Sequence, residues 1–255
     1  MLKNLTYGKH QIMPGEHRFF SGDNFLFGVK RKKEGWIILH PVDNIDEAEK
    51  SGFSSGEYYQ TGKSNSLLIQ PSLPDKPLIF KGSRLHVSSG QKLTFYLKFP
   101  LKIQLYFSRK QPENLLKEFA TQRLSDSWFG EPYSGEPSYV LGSEFFLSTA
   151  EIVPSPLEAI CPVTIFNNSP AVLEVERQII RVENMSLYMN GGKIITSLLS
   201  VEYRGKEIIS SASYSYSKNF HDEKPELLAK PYGEGSKHLL KLNFHFIRNI
   251  YNNEL

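Results

Sequence analysis

Two glutamates, Glu131 and Glu136, stand five residues apart in the stretch SWFGEPYSGEPSYVLGSEFF, residues 127–146. Trp128, Phe129, Tyr133 and Tyr139 surround them. Two acids across a cleft lined by aromatic rings are what glycoside hydrolysis requires. One of them must also be held protonated, by burial or by a nearby like charge. Here each Glu precedes a proline in a segment that reads as an exposed loop, where a carboxylate is hydrated. No catalytic residue is therefore assigned. Binding is easier to support, because stiff rings offer faces on which sugars or bases stack. Trp128, Tyr133, Tyr139, Glu131 and Glu136 are candidate ligand-binding residues of a carbohydrate-binding or carbohydrate-processing module. The competing reading is a fixed connection. Pro132 and Pro137 stiffen the stretch, Gly130, Gly135 and Gly142 let it turn, and the rings pin it to what flanks it. The connection is the favoured reading, and a ligand would sit in the seam beside it.

A second set of candidates lies in QKLTFYLKFPLKIQLYFS, residues 91–108. One parity carries Leu93, Phe95, Leu97, Phe99, Leu101, Ile103, Leu105 and Phe107. The other carries Tyr96, Lys98, Lys102 and Tyr106. Period two over this length predicts extended β-structure with one face in a core. Tyr96 and Lys98 thereby join the candidate ligand-binding residues, although a Tyr-Lys stripe is also what a solvated sheet face looks like. Pro100 lacks an N–H and predicts an edge or a bend, so that one long strand serves two sheets.

Other chemistries lack their residues. The seven histidines form no His-x-His or His-Glu-x-x-His pair, and His221-Asp222-Glu223 lies in a charged loop. No metal is expected. There is no Gly-x-Ser-x-Gly elbow and no glycine-rich phosphate loop, and no cofactor is expected. Cys161 is the single cysteine, so no intrachain disulfide exists. It precedes Pro162 in an apolar run and reads as a buried strand thiol.

The elements that would position these residues are mostly strands. Asn24–Val42 predicts a hairpin with a solvated basic tip at 30–33, and Asp43–Lys50 a short helical turn. Glu57–Gln70 predicts a second hairpin turning at 62–65. Pro71–Pro77, with three prolines, reads as a rigid connector. The stretch 111–124 is the best helix candidate, with Pro112 in the first turn and Leu115, Leu116, Phe119 and Leu124 leaning to one side. From 156 to 217 strands alternate with turns at 167–170, 190–192 and 204–205. The segment from Lys237 reads as a strand followed by a short helical end.

Composition agrees. Aromatics make up 13% of 255 residues, which favours pleated surfaces. Residues 1–120 hold 18 Lys and Arg against 11 Asp and Glu, and residues 121–255 hold 12 against 16. This asymmetry predicts docking of two halves rather than a nucleic-acid surface. The start lacks the apolar core of a signal peptide, and no later segment would span a bilayer. A cytoplasmic protein without membrane insertion is expected. The three Asn-x-Ser/Thr sequons, Asn167-Asn168-Ser169 among them, are then coincidental.

Tyr7-Gly8, the run FPLKIQLYF (99–107), the aromatic loop 128–139 and CPVTIFNNSPAVLEVERQII (161–180) together resemble an uncharacterised prokaryotic, archaeal-type domain-of-unknown-function family. The resemblance implies a β-rich cytoplasmic protein and carries no activity or functional residues.

The expectation is a mainly β protein of two antiparallel β-sandwich-like halves packed together, with one or two short helices. Residues 1–110 form the first half, 111–155 a helix and connecting loop, and 156–255 the second half. The expected function is non-catalytic binding or scaffolding, with an unknown protein partner or small-molecule ligand. Self-association through strand edges would make it a homo-oligomer.

Overall fold

The alternation over 91–108 becomes two consecutive strands, Lys92–Pro100 and Lys102–Phe107, in the computed structural model, which describes residues 2–82, 85–175, 177–205 and 211–233. Phe95, Leu97, Phe99, Leu101, Ile103 and Leu105 are all buried. The two strands part at Leu101, directly after Pro100, which has no N–H to donate, and they join different sheets. Lys92–Pro100 pairs with Glu158–Asn167, whereas Lys102–Phe107 lies between Ser66–Ser72 and Leu115–Ala120.

The protein is mainly β. It divides into two units, each assembled from three pieces of chain. The first takes residues up to Ser72, Pro100–Gln122 and Ser155–Glu158. The second takes Leu73–Phe99, Arg123–Pro154 and the described residues from Ala159 onward. The sequence pattern alone suggests contiguous halves joined at 111–155.

In the first unit a five-stranded sheet runs Leu2–Asn4, His17–Gly22, Phe25–Arg31, Gly35–Leu39, Glu57–Gln60. A four-stranded sheet runs Leu115–Ala120, Lys102–Phe107, Ser66–Ser72, Gly8–Gln11. Phe20, Phe27 and Trp36 of the first sheet share a core with Leu67, Ile69, Ile103 and Phe119 of the second. This is sheet-on-sheet packing. The hairpin of 24–42 is present, and the short helix spans Ile45–Lys50, where the Asn44 side chain accepts from the N–H groups of Asp46 and Glu47.

Three local expectations for this unit are corrected. The 111–124 helix is a single 3₁₀ turn, Pro112–Asn114, followed by the strand Leu115–Ala120. Glu57–Gln60 and Ser66–Ser72 are not a hairpin, because they pair into different sheets. The basic tip is not wholly solvated, because Arg31 is 0% exposed. Its guanidinium donates to the carbonyls of Lys32, Gly35 (2.7 Å) and Gly62 (2.8 Å) and to Asn65 Oδ1 (3.2 Å). The turn at 62–65 is thus a corner between sheets, closed on Arg31.

In the second unit the larger sheet follows the order Ser211–Ser215, Leu198–Tyr203, Glu158–Asn167, Lys193–Thr196, Leu187–Asn190, Glu226–Ala229, with Lys92–Pro100 also on Glu158–Asn167. A four-stranded sheet runs Ser125–Phe129, Glu136–Gly142, Leu78–Lys81, Arg177–Ile180. Phe80 of the second meets Phe95 of the first, ring centroids 5.6 Å apart. Most ladders are antiparallel. Glu158–Asn167 is instead parallel to Lys193–Thr196 at Ile160 and to Leu198–Tyr203 from Val163 onward. The change of partner brackets Pro162, which has no N–H to donate. The turn at Asn190 is a two-residue hairpin, with Gly191 and Gly192 at φ +55° and +82°, as that turn demands. The expectation for the segment from Lys237 falls outside the described residues. Among those residues no helix is long and apolar enough to cross a membrane.

Candidate functional site

The stretch 127–146 is largely strand. Ser125–Phe129 and Glu136–Gly142 form a hairpin in which Trp128 faces Pro137 and Phe129 faces Glu136. The Trp128 indole N–H donates to the Glu131 carbonyl at 3.0 Å and locks the tip. Gly135 is required there, since a Cβ would stand 2.3 Å from Trp128 Nε1 and 2.5 Å from the Phe129 carbonyl. Tyr133 is fully exposed at the tip, and Trp128 is 44% exposed. Tyr139 carries the Lys76 ammonium 4.7 Å above its ring. The two acids are differently placed. Glu131 sits in the exposed tip, whereas the Glu136 carboxylate accepts from both terminal nitrogens of Arg181, Nη1 at 2.8 Å. That bidentate clasp occupies both oxygens and ties the hairpin to the end of the strand Arg177–Ile180.

The Tyr-Lys stripe is divided by the break at Leu101. Lys102 and Gln104 both donate to Glu118 at 2.7 Å, and Tyr106 is buried and donates to Gln104 at 2.9 Å. Lys98 lies 3.9 Å from Glu144 and 5.9 Å above the Phe146 ring. Of the predicted residues, Tyr96 lines a cavity.

That cavity, about 290 Å³, lies within the second unit. Its floor follows from strand parity. Tyr96 on Lys92–Pro100, Ile160 and Pro162 on Glu158–Asn167, and Lys193 and Ile195 on Lys193–Thr196 all line it. Residues two apart on a strand share a face, and Ile160 is register-paired with Ile195, so these side chains form one continuous surface. Ile152 and Phe146 pack against its apolar part.

The walls come from loops. Thr149 opens a 3₁₀ turn whose N-cap is Ser148, and its carbonyl accepts from Lys193 Nζ at 3.1 Å. Asn219 and Phe220 form another wall, with Phe220 edge-on to Tyr96 at 6.1 Å. Asn190 fixes that wall by accepting from the Asp222 N–H and donating to the Phe220 carbonyl at 3.5 Å. Buried His221 anchors it from behind, with Nε2 2.9 Å from the Thr196 carbonyl and Nδ1 2.8 Å from the Ser217 carbonyl. Tyr188 and Tyr216 flank the imidazole, each at 5.1 Å.

Sequence reading found Tyr96 through its parity and missed Lys193, Asn190, Asn219 and Phe220. Asn190-Gly191-Gly192 was legible as a turn, but nothing local says which strands its flanks join.

Among the described residues no group of three His, Cys, Asp or Glu is placed to hold a metal. Cys161 is fully buried on the central strand, and burial pushes its thiol up to about 12. A thiol in that state is not a nucleophile near neutral pH. Native protein at pH 8 is therefore expected to resist iodoacetamide over an hour and to take up one carbamidomethyl group only after denaturation. Stoichiometric labelling of the folded chain by intact mass would contradict this placement.

Residues 6–248 match the family described as Protein of unknown function (DUF432), and the chain belongs to that family. No protein of curated function and no solved structure matches it.

Proposed function

We propose that this chain is a non-catalytic cytoplasmic binding protein that holds a small molecule in the cavity of its second unit. The observation that carries the reading is the cavity itself. It combines an apolar sheet floor with a few convergent polar groups, which is the make-up of ligand pockets. Its size, near the lower end of the usual range of about 300–1,000 Å³, suits a small ligand. Among the described residues the titratable side chains in its lining are Tyr96 and Lys193, and no nucleophile with an adjacent base accompanies them there.

Native mass spectrometry of gently purified protein tests the reading. A reproducible added mass is expected on the wild type and is expected to vanish in Asn219→Trp, which plugs the mouth from an exposed position. A bare chain in both, or the same added mass in both, overturns retention of a ligand at this site.

One observation favours a second reading, carbohydrate binding at the hairpin 125–142. Trp128 and Tyr133 are exposed around a locked tip, the usual form of a stacking platform. The only other tryptophan, Trp36, is wholly buried, so fluorescence quenching by oligosaccharides would report Trp128. No quenching across a panel of β-glucans and chitooligosaccharides removes this reading.

A further inference from the structure

We infer that the cavity of the second unit takes a small organic anion, a carboxylate or a phosphate ester, whose charged group sits on Lys193 and whose apolar body lies on the sheet floor. This rests on the cavity being a binding site, as proposed above, and names the chemistry it selects.

Lys193 is half-buried and is the only formally charged side chain among the described lining residues. Its ammonium has three donors, and one is spent on the Thr149 carbonyl. No carboxylate among the described residues lies within ion-pair distance of it. Several other partly buried cations are paired with a carboxylate, Arg181 with Glu136, Lys102 with Glu118 and Lys76 with Asp126, whereas Arg31 and Lys30 are held by carbonyls and rings instead. A cation drawn from water keeps a partner, because desolvation without one is costly. At Lys193 the space where a partner would stand is the cavity.

The neighbouring groups agree in sign. Among the described residues no acid lines the cavity, and the adjoining carboxylates, Glu151 and Asp222, are on exposed residues. Asn190 is committed to holding the wall through both ends of its amide. The Thr149 hydroxyl, the Tyr96 hydroxyl, the Asn219 amide and the second Asn190 Nδ2 N–H are lining donors available to share an anion's oxygens with Lys193. Ile160, Pro162 and Ile195 offer no hydrogen bond and suit a flat apolar body, against which the Tyr96 ring packs.

Ligand-observed NMR and calorimetry with benzoate, phenyl phosphate and neutral benzamide test the inference on the full chain. At least one anion is expected to bind ten-fold or more tightly than benzamide, and whichever anion is tighter identifies the headgroup. Lys193→Met is expected to abolish that preference and Lys193→Arg to keep most of it, with circular dichroism confirming that both variants fold. Equal binding of anions and benzamide, unchanged in Lys193→Met, overturns the charge selection while leaving a binding cavity. No binding of any probe overturns the inference too, and the added mass on the wild type then decides separately whether the cavity holds a ligand at all.

Discussion

Arg31→Met is expected to destabilise the first unit by about 3–5 kcal/mol, the loss of several charge-assisted hydrogen bonds worth about 1.5–3 kcal/mol each, with the buried Gly35 carbonyl left unpaired. Methionine keeps the length and apolar stem of the side chain. It leaves the Gly35 and Gly62 carbonyls and the Asn65 side chain without the donor that closes them. It also removes the cation that lies 5.2 Å from the Trp36 ring. For chains of this size 1 kcal/mol shifts the melting temperature by about 2–4 °C, so a fall of roughly 6–20 °C is predicted. Lys32→Met and Lys33→Met, one and two residues along the same tip, are expected to stay within about 0.5 kcal/mol, as surface changes do. Trp36 fluorescence during urea unfolding reads the effect at its source. Arg31→Lys is predicted to recover only part of the loss, because an ammonium lacks the planar fork that spans acceptors from two loops. If all three Met variants melted together, the corner would not depend on Arg31.

The contrast between Arg31 and its neighbours shows what the sequence makes legible. Apolar alternation is a local property, so Phe95 to Leu105 could be read as one buried face, and so could the break at Pro100. The turn at Gly191-Gly192 and the cap at Asn44 are local too. The strand at 115–120 was not readable in this way. Leu116 and Phe119 are three apart and both buried, which suits a helix face. A register shift opposite Leu105 and Tyr106 lets a strand place both inward, and pairing with Lys102–Phe107 then decides the outcome. Likewise Lys30 to Lys33 look alike in sequence. Only the return of the chain at Gly62–Asn65 selects Arg31 for burial. The cavity follows the same rule. Tyr96 was visible through its parity, but its floor unites residues near 96, 160 and 193, brought together by pairing between strands distant in the chain, parallel between Ile160 and Ile195, that no local pattern announces.

Asn167→Ala is expected to cost the second unit about 3–4 kcal/mol, for the reason that Arg31 matters in the first: buried polar groups without partners are expensive. Asn167 was legible only as part of a turn and as a coincidental sequon. In the fold it is 0% exposed and fully used. Its Nδ2 donates to the Val87 and Ala171 carbonyls, each at 2.7 Å, and its Oδ1 accepts from the Ser169 N–H at 3.0 Å and the Ser169 hydroxyl at 2.7 Å. One side chain therefore holds the end of Glu158–Asn167 to the strand His86–Val87 and shapes the turn that follows. Alanine strands all of these groups at once. Asn167→Asp separates shape from hydrogen bonding, since it keeps the volume and the acceptor and replaces the donor with a second acceptor facing two carbonyls. At pH 7 it is predicted to be at least as harmful as alanine and to regain stability as the pH falls, because protonation restores one O–H donor and removes the charge. Asn168→Ala, on the exposed neighbour, should shift the urea midpoint little. An Asp variant as stable as wild type at pH 7 would mean that the side chain fills space at this corner and its donors carry none of the fold.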